Sequence, residues 1–315
     1  MRAIAIERFG GPETLTLMDV PTPEPTAGEV LIRIVASGIN PVDWKIREGM
    51  LQKALPHRFP LILGWEAAGV VEAEGGGTSR FRRGDAVFAY TRKPEVHGGT
   101  YAQYVVVPES YVAPMPKSLL FHEAATVPLA GLTAYQALFR HKDVVDGATV
   151  LVHAAAGGVG LFGVQLAKGA GARVIGTAGP QNQDFLRELG VDHAIDYTAG
   201  DFREAVKAIC PGGVDVVFDC VGGDTLTRSF DVVKEGGRIV GIVDTPSAEE
   251  AARRGVRAHY HFVEPNGQEL GGLGDRIDQG QVRTYVSAVF PLAAAAEAQE
   301  KNRERHTRGK VALIV

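Results

Sequence analysis

Between Thr149 and Thr177 the chain reads TVLVHAAAGGVGLFGVQLAKGAGARVIGT, and that stretch fixes the architecture of its second half. An apolar, β-branched run (Val150 to Val152) feeds a small glycine-rich turn (Ala154 to Gly160). An apolar-faced helix and a second short strand, Arg173 to Thr177, follow. A pyrophosphate needs backbone N–H groups at a helix N-terminus and no side chain in the way. Gly157 and Gly158 clear that approach, Val159 lies between them and the helix, and Gly160 lets helix and strand pack closely. The first glycine of the usual pattern is replaced by Ala154, giving AxxGxxG. Placed strand–turn–helix–strand, the pattern predicts a bound dinucleotide.

Thr177 stands twenty residues after Gly157, followed by Ala178 and Gly179. An acid near that position would hold a ribose 2′-hydroxyl and select NAD. None is present, so nothing there repels a 2′-phosphate and NADPH is favoured. The turn from Gly179 to Asn182 carries no Arg or Lys either, and only Arg187 follows on the next helix.

At 315 residues the chain exceeds one comfortable core and predicts two domains. A net charge of −4 argues against nucleic acid or an anionic membrane as the main partner. The N-terminal MRAIAIERFG, broken by Arg2, Glu7 and Arg8, reads as a strand rather than a signal peptide. No stretch reaches the roughly 20 apolar residues of a membrane span, so the expectation is a cytoplasmic protein. Two cysteines, Cys210 and Cys220, are too few for a disulfide scaffold or a thiolate zinc cluster and read as reduced, structural thiols.

The first third reads as short strands (2–7, 14–19, 29–37, 69–74, 85–89 and 101–107) separated by Gly/Pro clusters, as in a β-barrel-like domain. FHEAATVPLAGLTAYQALF then turns helical, with a break at Pro128. After the glycine turn, strands at 149–153, 173–177, 193–196, 215–219 and 238–243 alternate with helices, which predicts a parallel sheet. The segment 256–262 adds an edge strand and a candidate homodimer contact. A β-like piece at 283–290, an alanine-rich helix at 292–302 and a terminal strand close the chain. The charge run KNRERHTRGK reads as a solvated helix end and turn.

GEVLIRIVASGINPVDWKIREG, LGWEAAGVVEAEG, GGTYAQYVVVP, TVPLAGLTAYQAL, AAAGGVG, VDVVFDCVGGDTL, EGGRIVGIV and RGKVALIV, in this order, carry a resemblance. The chain resembles the medium-chain dehydrogenase/reductase superfamily, in its zinc-free quinone oxidoreductase and enone reductase branch. The resemblance implies an α/β fold: a GroES-like catalytic domain (1–120 and 265–315) and an inserted Rossmann domain (121–264), with a cofactor cleft between them. It implies NADPH as cofactor and a quinone or an α,β-unsaturated carbonyl as hydride acceptor. Where zinc-dependent relatives carry a cysteine and a histidine ligand, this chain has Ser37 and Trp65 followed by Glu66, and the cysteine-rich structural lobe is missing. A hydroxyl and an indole do not replace thiolate and imidazole, so no metal is expected. His57, His97 and His153 lack ligand spacing and read as satisfied polar residues.

By family position, Asn40 lies near the nicotinamide ribose or substrate, with an Asn cap before Pro41 as the plainer alternative. Asp43 orients this loop, and Lys45 reaches the acceptor oxygen unless it is simply a solvated lysine. Trp65 and Tyr90 are candidate walls for a flat acceptor. For the cofactor, the resemblance adds Thr133 near the nicotinamide-side phosphate, Tyr197 beside the adenosine, and Ile242 and Phe262 near the nicotinamide. Two alternatives stay open: a zinc-independent alcohol or carbonyl dehydrogenase, and a non-catalytic NADPH-binding structural or sensor protein.

Overall fold

The computed structural model describes residues 1–140, 144–304 and 307–315. The chain divides into two compact units, one of Met1–Leu132, Glu264–Gly280 and Thr284–Val315, the other of Thr133–Val263 and Gln281–Arg283.

The first unit is organised by the strand Glu29–Ile39, whose apolar residues Val30, Ile32 and Ile34 alternate into a core with Val71, Phe81, Val87, Val105 and Val107. Its eleven residues serve three antiparallel partners. Glu66–Glu74 runs along one edge, while Tyr104–Pro108 and the C-terminal strand Lys310–Ile314 share the other. Val286–Pro291, Ala86–Tyr90 and Val112–Pro114 complete this sheet. A second sheet holds Thr16–Asp19, Arg2–Ile6, His57–Ile62 and Val96–Gly98 in that order. Pairing Val311 with Ile39 brings the chain's last strand beside Asn40, a contact across some 270 residues of sequence.

The second unit is a six-stranded sheet in the order His193–Asp196, Arg173–Ala178, Thr149–Val152, Val214–Asp219, Val233–Gly241, Arg257–Tyr260, with every neighbour parallel. Numbered by occurrence this is 3-2-1-4-5-6, the doubly wound dinucleotide-binding order, and the strand carrying the glycine turn stands where the order reverses. Leu151, Ile175, Val217 and Ile239 on four adjacent strands bury in one cluster with Phe202, Val206 and Leu226 of the crossover helices and with Phe230 at the end of one of them.

The expected break at Pro128 separates a short helix, Phe121–Ala124, from Pro128–Phe139. The boundary between the units falls after Leu132 rather than at 120, because the 121–129 segment is tied to the first unit: Leu129 N–H donates to Glu66. The segment 256–262 provides the edge strand Arg257–Tyr260. The strand expected at 283–290 starts three residues later, at Val286, and the alanine-rich helix spans Ala295–Arg303. The charge run extends to residues 305 and 306, which lie outside the described residues. The helix Pro41–Arg47 and the strands His57–Ile62 and Val96–Gly98 were not legible in the sequence, since each is short and interrupted by charge or proline. Among the described residues no helix is long and apolar enough to cross a membrane.

Candidate active site

In the second unit the glycine turn follows Thr149–Val152. Ala154 adopts φ +52°, in the left-handed region that ordinarily favours glycine. Its carbonyl accepts from Gly157 N–H at 2.9 Å, and Ala155 N–H reaches the Thr177 carbonyl at 3.0 Å, tying the turn to the neighbouring strand. A Cβ on Gly160 would lie 2.2 Å from the Ala154 carbonyl oxygen, so this close crossing admits only glycine. The helix Gly160–Gly169 opens with Val159 at its cap and no side-chain acceptor for its first N–H groups. The N–H groups of Leu161, Phe162 and Gly163 already bond the Gly157 and Val159 carbonyls, so an external anion would meet the N–H groups of the turn before them, and the turn fits a dinucleotide's pyrophosphate.

Thr177 is expected on the ribose side, but its side chain is buried and its hydroxyl bonds His153 Nδ1 at 3.0 Å. His153 Nε2 meets the Ser229 hydroxyl at 3.0 Å. The imidazole is thus a satisfied interior group, as expected for it, and burial pushes it down to about 3. Folded protein therefore resists the proton that unfolded chain takes up below pH 6.5, and His153 costs stability as pH falls from 6.5 toward 3. Burial holds the neighbouring strand's Asp219 carboxyl at about 6, which acts in the opposite sense. Comparison with His153→Gln isolates the histidine: relative to that variant, wild type loses about 2 kcal/mol between pH 7 and pH 5. Urea unfolding followed by circular dichroism at the two pH values reads the difference, and parallel curves would refute it.

Of the other expected cofactor residues of this unit, three lie just beyond the carboxyl ends of its strands and one lies on a helix. Tyr197 is exposed just after His193–Asp196. Ile242 follows Val233–Gly241, its N–H held by the Asp219 carbonyl at 3.1 Å. Phe262 is part-exposed and stacks on Tyr260, with ring centroids 6.4 Å apart. Thr133 is buried within Pro128–Phe139.

In the first unit the structure gathers a buried polar knot. Asn40 caps the helix Pro41–Arg47, and its backbone N–H donates to Asp43 Oδ2 at 2.8 Å. Its carboxamide does not cap the helix but turns to Glu66, Nδ2 donating to Oε1 at 2.7 Å. Lys310 Nζ donates to the same Glu66 oxygen at 2.8 Å, to the Ile39 carbonyl at 3.1 Å and to Asn40 Oδ1. Leu129 N–H fills Glu66 Oε2 at 2.7 Å. Gly38 makes room for this carboxylate: a Cβ there would lie 2.2 Å from Oε1. Beneath the knot, Tyr101 donates its hydroxyl to Asp43 Oδ2 at 2.9 Å, and burial raises the Asp43 carboxyl to about 7. Ser37 donates to the Glu66 carbonyl at 3.0 Å and shares a hydrogen bond with Thr100.

Asn40 is thus both the cap and part of a constellation. Lys45 is half-buried on the same helix, its Nζ 5.7 Å from the Trp44 ring centroid. Trp65 and Tyr90 are buried and meet edge to face at 6.4 Å, so they form interior packing more than an open wall. Sequence reasoning passed over Glu66, Lys310 and Tyr101. Lysine next to a terminal strand ordinarily reads as a solvated residue, and only its 4% exposure reveals the opposite.

The fold and the two arrangements define a dinucleotide-dependent dehydrogenase/reductase built on a GroES-like unit and a Rossmann unit. Residues 26–117 match the alcohol dehydrogenase GroES-like domain family, and residues 189–313 match the zinc-binding dehydrogenase family. The chain is 33% identical over 323 residues to a chloroplast envelope quinone oxidoreductase homolog of Arabidopsis thaliana, covering 99% of this chain and 97% of that one. It superposes on an NAD-dependent alcohol dehydrogenase with TM-score 0.91 and 34% identity, and both chains are covered completely. The quinone oxidoreductase of Escherichia coli, solved with NADPH, matches with TM-score 0.89 and 30% identity, again over both full chains. The chain belongs to the medium-chain dehydrogenase/reductase superfamily, with quinone oxidoreductases among its relatives.

One matched family is described as zinc-binding, and the residues here do not fit that ion. Ser37 and Trp65 offer no thiolate or imidazole, and Glu66 already accepts from an ammonium and two N–H groups. Among the described residues no three His, Cys, Asp or Glu side chains are grouped as a metal site. A divalent cation beside Glu66 would have to displace or face the Lys310 ammonium.

Proposed function

We propose that this protein is an NADPH-dependent, metal-free oxidoreductase that delivers hydride to a quinone or to the β-carbon of an α,β-unsaturated carbonyl. The observation that carries the reading is the Lys310 ammonium closed onto Glu66 where a metal would otherwise be served, in a chain whose dinucleotide turn is intact. NADPH, when bound, supplies the hydride. The protein's own part is to hold it: Gly157, Gly158 and Val159 receive the pyrophosphate at the helix start, and Thr133, Tyr197, Ile242 and Phe262 flank its other portions. Thr177 contributes its backbone position, since its hydroxyl is committed to His153.

A simple alcohol needs a Lewis acid to stabilise its alkoxide, whereas a conjugated acceptor spreads the incoming charge onto an oxygen that hydrogen-bond donors can stabilise. Asn40 and Lys45 are assigned to that oxygen, with Trp65 and Tyr90 supporting the acceptor's apolar surroundings. Protonation from solvent completes the reduction. A homodimer joined along the Arg257–Tyr260 edge belongs to the same proposal, and light scattering at micromolar concentration tests it.

The decisive experiment offers chelator-treated protein NADPH deuterated at the transferable position, with a small enone and an ortho-quinone in separate reactions. Deuterium on the β-carbon of the enone establishes conjugate reduction, and NADPH consumption with the quinone alone establishes quinone reduction. A second reading, a zinc-independent alcohol or carbonyl dehydrogenase, is favoured by the likeness to the NAD-dependent alcohol dehydrogenase. Alcohol oxidation that survives the chelator supports it and overturns the first, and alcohol oxidation that the chelator abolishes overturns both. NADPH binding without turnover of any acceptor would mark a non-catalytic binder.

A further inference from the structure

Asn40 is fixed three times over. Its backbone N–H is held by Asp43, its Nδ2 by Glu66, and its Oδ1 by Lys310. The two side-chain partners are chemically unambiguous, because an ammonium only donates and a carboxylate only accepts. The carboxamide therefore has one allowed orientation. A primary amide carries two N–H donors, and one goes to Glu66. The second has no protein partner among the described residues, while the residue as a whole is only 2% exposed.

A group held this rigidly, with one donor left over, has the form of a preorganised hydrogen-bond donor. The ammonium is itself built into the interior, on the strand that returns from the far end of the chain to pair with Glu29–Ile39. We propose that Lys310 is a positioning residue for the reduction: with Glu66 it sets the Asn40 carboxamide so that its free N–H is presented to the acceptor or nicotinamide end of the reaction. The inference rests on the function proposed above. Lys310 touches neither reactant and acts through Asn40. Without the ammonium Oδ1 loses its donor and Glu66 alone holds the amide through Nδ2; with glutamine at position 66 as well, neither partner dictates which way the amide faces.

The test uses full-length protein with NADPH and whichever enone or quinone the wild type reduces. Lys310→Met is expected to lower kcat by about 100-fold, the order observed when one donor to a developing oxyanion is lost. KM for the acceptor and Kd for NADPH stay within threefold. The charge-neutral pair Lys310→Met with Glu66→Gln separates positioning from stability, since it leaves no unpaired buried charge. Its melting temperature recovers toward wild type while its kcat stays low. Recovery of kcat together with Tm would overturn the proposal, as would a Lys310→Met variant with kcat within threefold of wild type. If Lys310→Met fails to fold, the double variant alone decides.

A turnover-independent arm keeps the two readings apart. With asparagine labelled by 15N, the Asn40 side-chain amide, assigned by Asn40→Asp, should appear as one slowly exchanging, inequivalent proton pair. In the double variant that pair should exchange faster. A rapidly exchanging amide in wild type would overturn the positioning role, whereas an ordered amide in a protein that reduces no acceptor would leave the orientation standing and remove the assigned reaction.

Discussion

Substituting Gly160 with alanine is expected to raise the Kd for NADPH by about 100-fold, or ~2.7 kcal/mol. The added Cβ would lie 2.2 Å from the Ala154 carbonyl oxygen and 2.8 Å from the Ala155 Cα, both main-chain atoms. No flexible side chain can yield, so the turn itself must move, and that turn is the one proposed to receive the pyrophosphate. Gly157→Ala supplies the graded control. Its Cβ would meet the Ala154 carbonyl oxygen at 3.1 Å, which a shift of a few tenths of an ångström relieves, so its effect on apo stability should be the smaller. Titration of NADPH fluorescence measures the affinities, and thermal melts of the apo proteins measure the stabilities. Unchanged affinity in Gly160→Ala would show that this turn does not hold the cofactor.

Glu66→Ala is the second large effect, and it falls on stability. The substitution strands the Lys310 ammonium, 4% exposed, with only the Ile39 carbonyl and Asn40 Oδ1 as partners. Breaking a buried ion pair from one side costs about 3–5 kcal/mol. That is a large part of the roughly 5–15 kcal/mol by which a native domain is stable. Both tryptophans, Trp44 and Trp65, are buried in this unit, so indole fluorescence during urea unfolding reports it selectively. Replacing both partners by apolar residues, Glu66→Leu with Lys310→Met, should restore most of the loss, because neither member of the ion pair is then left buried without the other. A shift below about 1 kcal/mol for Glu66→Ala would mean that water or a rearranged neighbour solvates the lysine.

The glycine turn, the alternating strands and helices after it, and the edge strand near residue 257 were readable because they rest on local chemistry. β-branched runs, a turn of small residues and helical spacing each declare themselves within about twenty residues. Ala154 was visible as a departure from the glycine pattern, and its positive φ is a conformation that ordinarily favours glycine. The helix Pro41–Arg47 was harder to read, since seven residues give barely two turns of periodicity. Trp65 and Tyr90 had the composition of a binding wall, but burial decides between wall and core, and burial depends on neighbours far away in sequence.

The sequence by itself determined the dinucleotide-binding unit, the β-rich partner unit and the absence of thiolate and imidazole at Ser37 and Trp65. It could not determine what stands in their place. Lys310 and Glu66 are 244 residues apart, and each read alone is an ordinary surface charge. Only the antiparallel pairing of the last strand with Glu29–Ile39 brings the ammonium to the carboxylate and to Asn40. Local propensity is written in neighbouring residues, whereas a buried charge is tolerable only where the fold delivers its partner, and that delivery belongs to the tertiary structure.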